Sequence, residues 1–141
     1  MEEMNLESYT INNVEIDEYL SEAITNYGIE QLQGNKPYKL YSCFKSDSGE
    51  IIGAVMGSVT TNLFFISHIY VEKTNRNKGI GTKLLSAIEQ SAIESGCNII
   101  RLNTFNKKAH AFYLNSGFTE TTCIKDYMND FDLVYYHKTI S

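Results

Sequence analysis

The chain has 141 residues, the usual size of one domain, and is 43% hydrophobic and 21% charged. That composition excludes a disordered chain, a collagen-like fibre and a coiled coil. A formal net charge of −5 argues against a nucleic-acid partner, which would need a basic face, and no apolar run approaches the ~18 residues that would make a membrane partner.

Apolar side chains at Ile16, Leu20, Ala23, Ile24 and Tyr27 have helical spacing and predict a helix over 16–32. A weak strand signal precedes it. A polar connection with the single proline, Pro37, follows. Residues 38–44 alternate as a strand, and Ser46-Asp47-Ser48-Gly49 reads as a turn. Strands over 51–59 and 63–71 flank a Thr61-Asn62 turn, completing an antiparallel meander. Leu84, Leu85, Ile88, Ala92 and Ile93 then stripe a helix over 79–95, stopped by Gly96. A short strand at 98–102 makes a strand–helix–strand crossover between parallel neighbours. A helix over 107–115 ends at Gly117, and strands over 118–124 and 133–140 close the chain around a polar loop. The fold class is α+β, a mixed sheet with helices packed on it, and the chain reads as one domain over 1–141.

Cys43, Cys97 and Cys123 have neither metal-ligand spacing nor the pairing of a disulfide framework. No metal is expected, and the thiols read as buried in a reducing compartment. The N-terminus is acidic and lacks an apolar signal core. The expected location is the cytoplasm. Residues 1–70 carry ten acids and three bases, whereas residues 71–141 carry seven acids and nine bases. This suits an anionic ligand on the second half and a cationic one near the first. A simple drift of surface charge would look the same.

The chemistry concentrates in Arg76-Asn77-Lys78-Gly79-Ile80-Gly81-Thr82, between a buried strand and a helix. Gly79 and Gly81 lack Cβ atoms, which lets a ligand approach the backbone. The first helix amides have no internal partners, and with the helix dipole they form an anion site. Arg76, Lys78 and Lys83 add positive charge. A pyrophosphate fits, and so does a plain strand–helix turn. A Walker loop is absent, and a dinucleotide fold would need glycine where Leu84 stands.

Arg76-x-x-Gly79-x-Gly81 after Ile69-Tyr70-Val71 resembles the signature of the GNAT superfamily of acetyl-CoA-dependent N-acyltransferases. Asn106-x-x-Ala109-x-x-Phe112-Tyr113, followed by Gly117-Phe118, resembles a second block of the same family. The resemblance spans residues 38–140. It implies a mixed, mostly antiparallel sheet of about six to seven strands flanked by about four helices. It implies acetyl-CoA as co-substrate, with backbone groups of Ile69 and Val71 along the pantetheine arm. Backbone amides of Asn77, Lys78, Gly79, Ile80, Gly81 and Thr82, with the Arg76 side chain, would hold the pyrophosphate. Asn106 would bond the pantetheine or the cofactor's far end. Tyr113 would be the catalytic general acid near the sulfur; the residues alone favour an aromatic packed beside Phe112 and Phe118.

Acyl transfer to an amine needs a neutral amine. At pH 7 only about one alkylamine in 2,500 is neutral, a cost of roughly 4.6 kcal/mol. The departing thiolate needs a proton, which a tyrosine hydroxyl retains at neutral pH. The base is not evident. Alternation from Ile69 and Val71 turns Phe65 and Ser67 toward the cleft, and neither is a base. His68 would face away unless a bulge re-aims it; it is a weak candidate beside the ordinary reading of a packed histidine. Water, or a substrate that arrives neutral, could serve instead. His110 is expected to be exposed, and His137 has no argued role.

The acceptor site is expected from the first helix, its following loop and the loop over 125–132. That last loop's three carboxylates and two aromatics suit a cation, as would Glu15, Asp17, Glu18, Glu22 and Glu30 if they face the cleft. The leading expectation is an acetyltransferase acting on a primary amine of a small cationic metabolite or antibiotic. The alternatives are a non-catalytic acyl-CoA-binding module, favoured by the missing base, and a protein lysine or N-terminal acetyltransferase. A homodimer remains open.

Overall fold

A computed structural model describes residues 3–31 and 36–141. The chain divides into two compact units, Met1–Lys36 and Pro37–Ser141. In the first, helix α1 spans Val14–Gln31. Asn13 opens it, its Oδ1 accepting the Ile16 amide at 3.0 Å, and Glu15 and Asp17 in the first turn suit the helix dipole. No strand forms among the described residues 3–13, where a weak one was expected. Leu6, Tyr9 and Ile11 are exposed there, so no buried face holds that stretch in a ladder. The expected helix end at 32, the connection at 33–35 and the chain start at 1–2 lie outside the described residues.

The second unit contains β1 (Tyr38–Lys45), β2 (Ile51–Thr60), β3 (Leu63–Val71), α2 (Ile80–Glu94), β4 (Ile99–Thr104), α3 (His110–Asn115), β5 (Thr119–Met128) and β6 (Phe131–Thr139). They form one six-stranded sheet in the order β1-β2-β3-β4-β6-β5. β3 and β4 pair in parallel, as the crossover through α2 requires, and every other neighbouring pair is antiparallel. Three α-helices stand among the described residues where about four were expected. Short 3-10 turns at Lys73–Asn75 and Lys107–Ala109 precede α2 and α3.

The core follows the side-chain periods. Leu84, Leu85, Ile88 and Ala92 are the buried stripe of α2. They join Val55 and Val59 of β2, Phe64 and Ile66 of β3, Ile100 and Leu102 of β4, and Tyr136 of β6 in one cluster.

β3 is irregular, and the expectation for Phe65 and Ser67 fails on it. Met56 pairs with His68 and Gly57 with Ile66, so Ser67 is an extra residue, a bulge. The bulge shifts the alternation by one. Phe64 and Ile66, rather than Phe65 and Ser67, share the inner face with Ile69 and Val71. Glycine at 57 makes this fit: a Cβ there would stand 2.3 Å from the Phe65 carbonyl oxygen and 2.6 Å from the Phe64 ring.

The expected polar loop over 125–132 is mostly a hairpin. β5 runs to Met128 and β6 starts at Phe131. Asn129 and Asp130 make the turn, both at positive φ (41° and 66°), as a tight two-residue hairpin requires. A register irregularity lies between Ile124 and Met128, with Asp126 at φ 51°.

Candidate active site

The site begins where β3 and β4 part. Their parallel ladder contains Leu63↔Ile99, Phe64↔Ile100 and Phe65↔Arg101, and ends there. Beyond it the Glu72 amide donates to Ile52 O of β2 at 2.9 Å. Backbone groups alternate sides along a strand, so Tyr70 also faces β2, and Ile69 and Val71 turn their N–H and C=O groups to the open side. An unpaired strand edge of this kind accepts another extended chain.

At the end of that edge the chain turns into α2. Asn77 (φ 63°) and Gly79 (φ 78°) both take left-handed backbone conformations. Gly79 caps α2 without any side-chain hydrogen bond, and no acidic residue lies in the first turn. The first intrahelical bond runs from the Lys83 amide to Gly79 O, at 3.1 Å. The amides of Ile80, Gly81 and Thr82 therefore remain free for an anion. The two glycines serve different ends. A Cβ on Gly79 would meet nothing, so its need is conformational, whereas one on Gly81 would press on Phe112 at 3.2 Å. Gly81 thus also makes room for a ring of α3.

These groups share one cavity of about 700 Å³. Its walls include Ile69, Val71, Arg76, Asn77, Gly79, Ile80, Gly81, Thr82, Asn106 and Tyr113. Of the residues expected at the site, Lys78 and Lys83 do not line it; both are exposed. Arg76 donates from Nε to Val71 O at 2.9 Å, and its guanidinium lies over the Tyr70 ring at 5.3 Å. Asn106 Oδ1 accepts the Lys108 amide at 3.1 Å, capping the turn before α3. Its Nδ2 has no partner among the described residues and stays available as a donor.

Tyr113 is 6% exposed, packed against Phe112, Phe118 and Tyr136 at ring separations of 5.2–5.9 Å. Burial pushes its phenol above the ordinary tyrosine range, and neighbouring Tyr136 adds to the shift. Among the described residues its hydroxyl makes no hydrogen bond, yet no buried polar atom there is left unsatisfied. The hydroxyl is therefore open to the cavity that its ring helps to line.

The histidines lie elsewhere. His68 is exposed and lines a separate apolar pocket with Tyr41, Met56 and Tyr70; the bulge displaces Ser67 and leaves His68 paired with Met56. His137 Nδ1 lies 2.6 Å from Thr121 Oγ1. His110 was expected to be exposed. It is half-buried, with Nδ1 2.7 Å from Tyr136 Oη. Sequence reasoning missed this pairing because it joins residues 26 positions apart. The one available signal was that His110 falls one turn from Tyr113 on the same short helix. Among the described residues, no carboxylate or imidazole lines the main cavity, and no three His, Cys, Asp or Glu side chains gather as a metal site.

This sheet, its forked strands and the glycine-opened helix define an acetyltransferase fold, and comparison agrees. Residues 3–118 match the model of the acetyltransferase (GNAT) family. The chain belongs to that family. A crystal structure from Agrobacterium tumefaciens, described as an acetyltransferase, superposes with a TM-score of 0.89 at 20% identity, covering 97% of this chain and 100% of that one. Blasticidin-S acetyltransferase of Streptomyces morookaense is 29% identical over 91 residues, 64% of this chain and 65% of the relative. A Bacillus anthracis protein described as a streptothricin acetyltransferase, solved with acetyl coenzyme A, has a TM-score of 0.67 at 25% identity, covering 76% of this chain and 65% of that one. Among the described residues, no helix is long and apolar enough to cross a membrane.

Proposed function

We propose that this chain, acting as one domain, transfers an acetyl group from acetyl-CoA to a primary amine of a small cationic metabolite or antibiotic. The observation that carries the reading is one cavity with three suited walls: an open β3 edge, a helix start with free amides, and a buried phenol. Those residues fit the co-substrate. An extended polar arm matches the edge at Ile69 and Val71. A diphosphate matches the uncapped amides of Ile80, Gly81 and Thr82 beside Arg76. When bound, acetyl-CoA supplies a thioester acyl group.

The protein's own residues divide the remaining work. Tyr113 holds a proton at Oη, at a phenol that stays protonated at neutral pH, and gives it to the departing sulfur. The wall offers no base, so the amine loses its proton to water before it enters. Exposed Tyr127 and Phe131, with Asp126 and Asp130 around the β5–β6 turn, suit a cationic acceptor. The Phe131 ring meets Phe105 at 6.4 Å, and Phe105 adjoins the cavity residue Asn106. The antibiotic acetyltransferases among the relatives support an antibiotic as one such acceptor.

The absence of a base on the wall also favours a second reading, a module that binds acyl-CoA without turnover. A thiol-release assay over polyamines, aminoglycosides, nucleoside antibiotics, amino acids and peptides separates the two. Release with a small cationic amine supports the enzyme. Tight coenzyme A binding with no release from any amine supports the module.

A further inference from the structure

We propose that His110 and Tyr136 form a positioning pair that fixes the Tyr113 ring and keeps its hydroxyl aimed into the cavity. The inference rests on the reading of Tyr113 as the general acid. His110 begins α3, and Tyr113 lies one turn further along the same helix. Tyr136 comes from β6 and is 1% exposed. Its hydroxyl meets His110 Nδ1 at 2.7 Å. Its ring packs on Tyr113 at 5.3 Å and on the His110 ring at 5.8 Å. One buried side chain therefore touches both the first turn of the helix and the phenol one turn on.

The geometry explains why a polar pair sits in an otherwise apolar core. α3 has only six residues, and its N-cap, Ala109, makes no side-chain hydrogen bond. So short a helix has little stability of its own. A directional bond from the sheet to its first residue fixes its rotation, and with it the direction of Tyr113. Packing of Phe112 and Phe118 alone would restrain the ring without fixing the helix that carries it.

The groups facing Tyr136 are His110 and Tyr113 from α3, and Glu120 and Cys123 from β5. Glu120 is its cross-strand partner on β5, and Leu102 is its partner on β4. Among the described residues, His110 is the one group hydrogen-bonded to its hydroxyl.

The test compares Tyr136→Phe, His110→Ala and His110→Asn with the wild type. Asparagine keeps a polar atom near the place of Nδ1. Tyr136→Phe and His110→Ala are each expected to lower kcat about tenfold, with KM for acetyl-CoA within about twofold. The double variant should be no worse than either single one, and His110→Asn should recover most of the rate. In parallel, NMR of ring-labelled tyrosine follows Tyr113 without any turnover. Its ionisation should move to lower pH in His110→Ala, which leaves Tyr136 in place, and stay near the wild-type value in His110→Asn. An unmoved Tyr113 signal in His110→Ala would overturn the pair. So would an unchanged kcat in both Tyr136→Phe and His110→Ala, or asparagine performing as poorly as alanine. If the wild type acetylates no amine, the enzymatic reading falls, and the NMR signal alone decides whether the pair positions Tyr113.

Discussion

Arg76 reaches back over its own turn to Val71. Its Nε donates to the Val71 carbonyl oxygen at 2.9 Å, while its guanidinium covers the Tyr70 ring at 5.3 Å. One cation thus ties the end of the open strand to the loop that opens α2. Its terminal Nη donors remain for an anion at the helix start.

Arg76→Gln keeps a donor and loses the charge. It should weaken coenzyme A binding about tenfold to a hundredfold, the worth of charge-assisted hydrogen bonds. It should weaken pantetheine, which has no diphosphate, much less. Titration calorimetry with both ligands checks this.

Tyr113→Phe should lower kcat about a hundredfold and leave KM for acetyl-CoA within about threefold. Steady-state kinetics with the best amine from the screen provides the measurement. Equal turnover would remove the phenol from the mechanism.

Burial raises the folded-state pKa of both Tyr113 and Tyr136. An unfolded tyrosine loses its proton near pH 10. Above that pH the unfolded chain binds fewer protons than the fold, so stability falls as pH rises toward the folded values. Below that pH these groups contribute their full stability. Denaturant midpoints measured from neutral pH into the alkaline range should show the decline, and Tyr136→Phe should make it shallower.

Gly57→Ala would drive a Cβ to 2.3 Å from a backbone oxygen that has no flexible neighbour to yield. It should cost about 1–3 kcal/mol, the usual cost of overpacking. Denaturant unfolding reads this directly. Gly49→Ala serves as the comparison: it also strains a positive φ, at 88°, but in open space, and should cost less.

Much of this architecture was legible before any coordinates. Leu63–Val71 stands where alternation and the Thr61-Asn62 turn put it, and α2 starts within one residue of its glycine signal. α2 buries one regular stripe, and β3 alternates on either side of Ser67, so both periods are written in the side chains. The Ser67 bulge was not legible, because one extra residue leaves a period-two pattern looking intact on either side. Gly57 was its only trace, and that glycine belongs to the other strand. The β5–β6 turn misled for another reason. β5 is an edge strand with nine of its ten residues exposed, so its polar end reads as loop. The cavity residues from Ile69 to Tyr113 were reachable because they sit in two short motifs. The His110–Tyr136 contact was not, because it joins a helix to a strand far along the chain.

The central claim is that free helix amides and Arg76 hold a diphosphate while the open β3 edge holds the arm behind it. Calorimetric titration of the wild-type chain with coenzyme A, and separately with pantetheine, tests that claim without altering the protein. One saturable site for coenzyme A is predicted, with pantetheine at least about a hundredfold weaker, in line with the loss of several charge-assisted hydrogen bonds. No heat with coenzyme A, or pantetheine binding equally well, would contradict it.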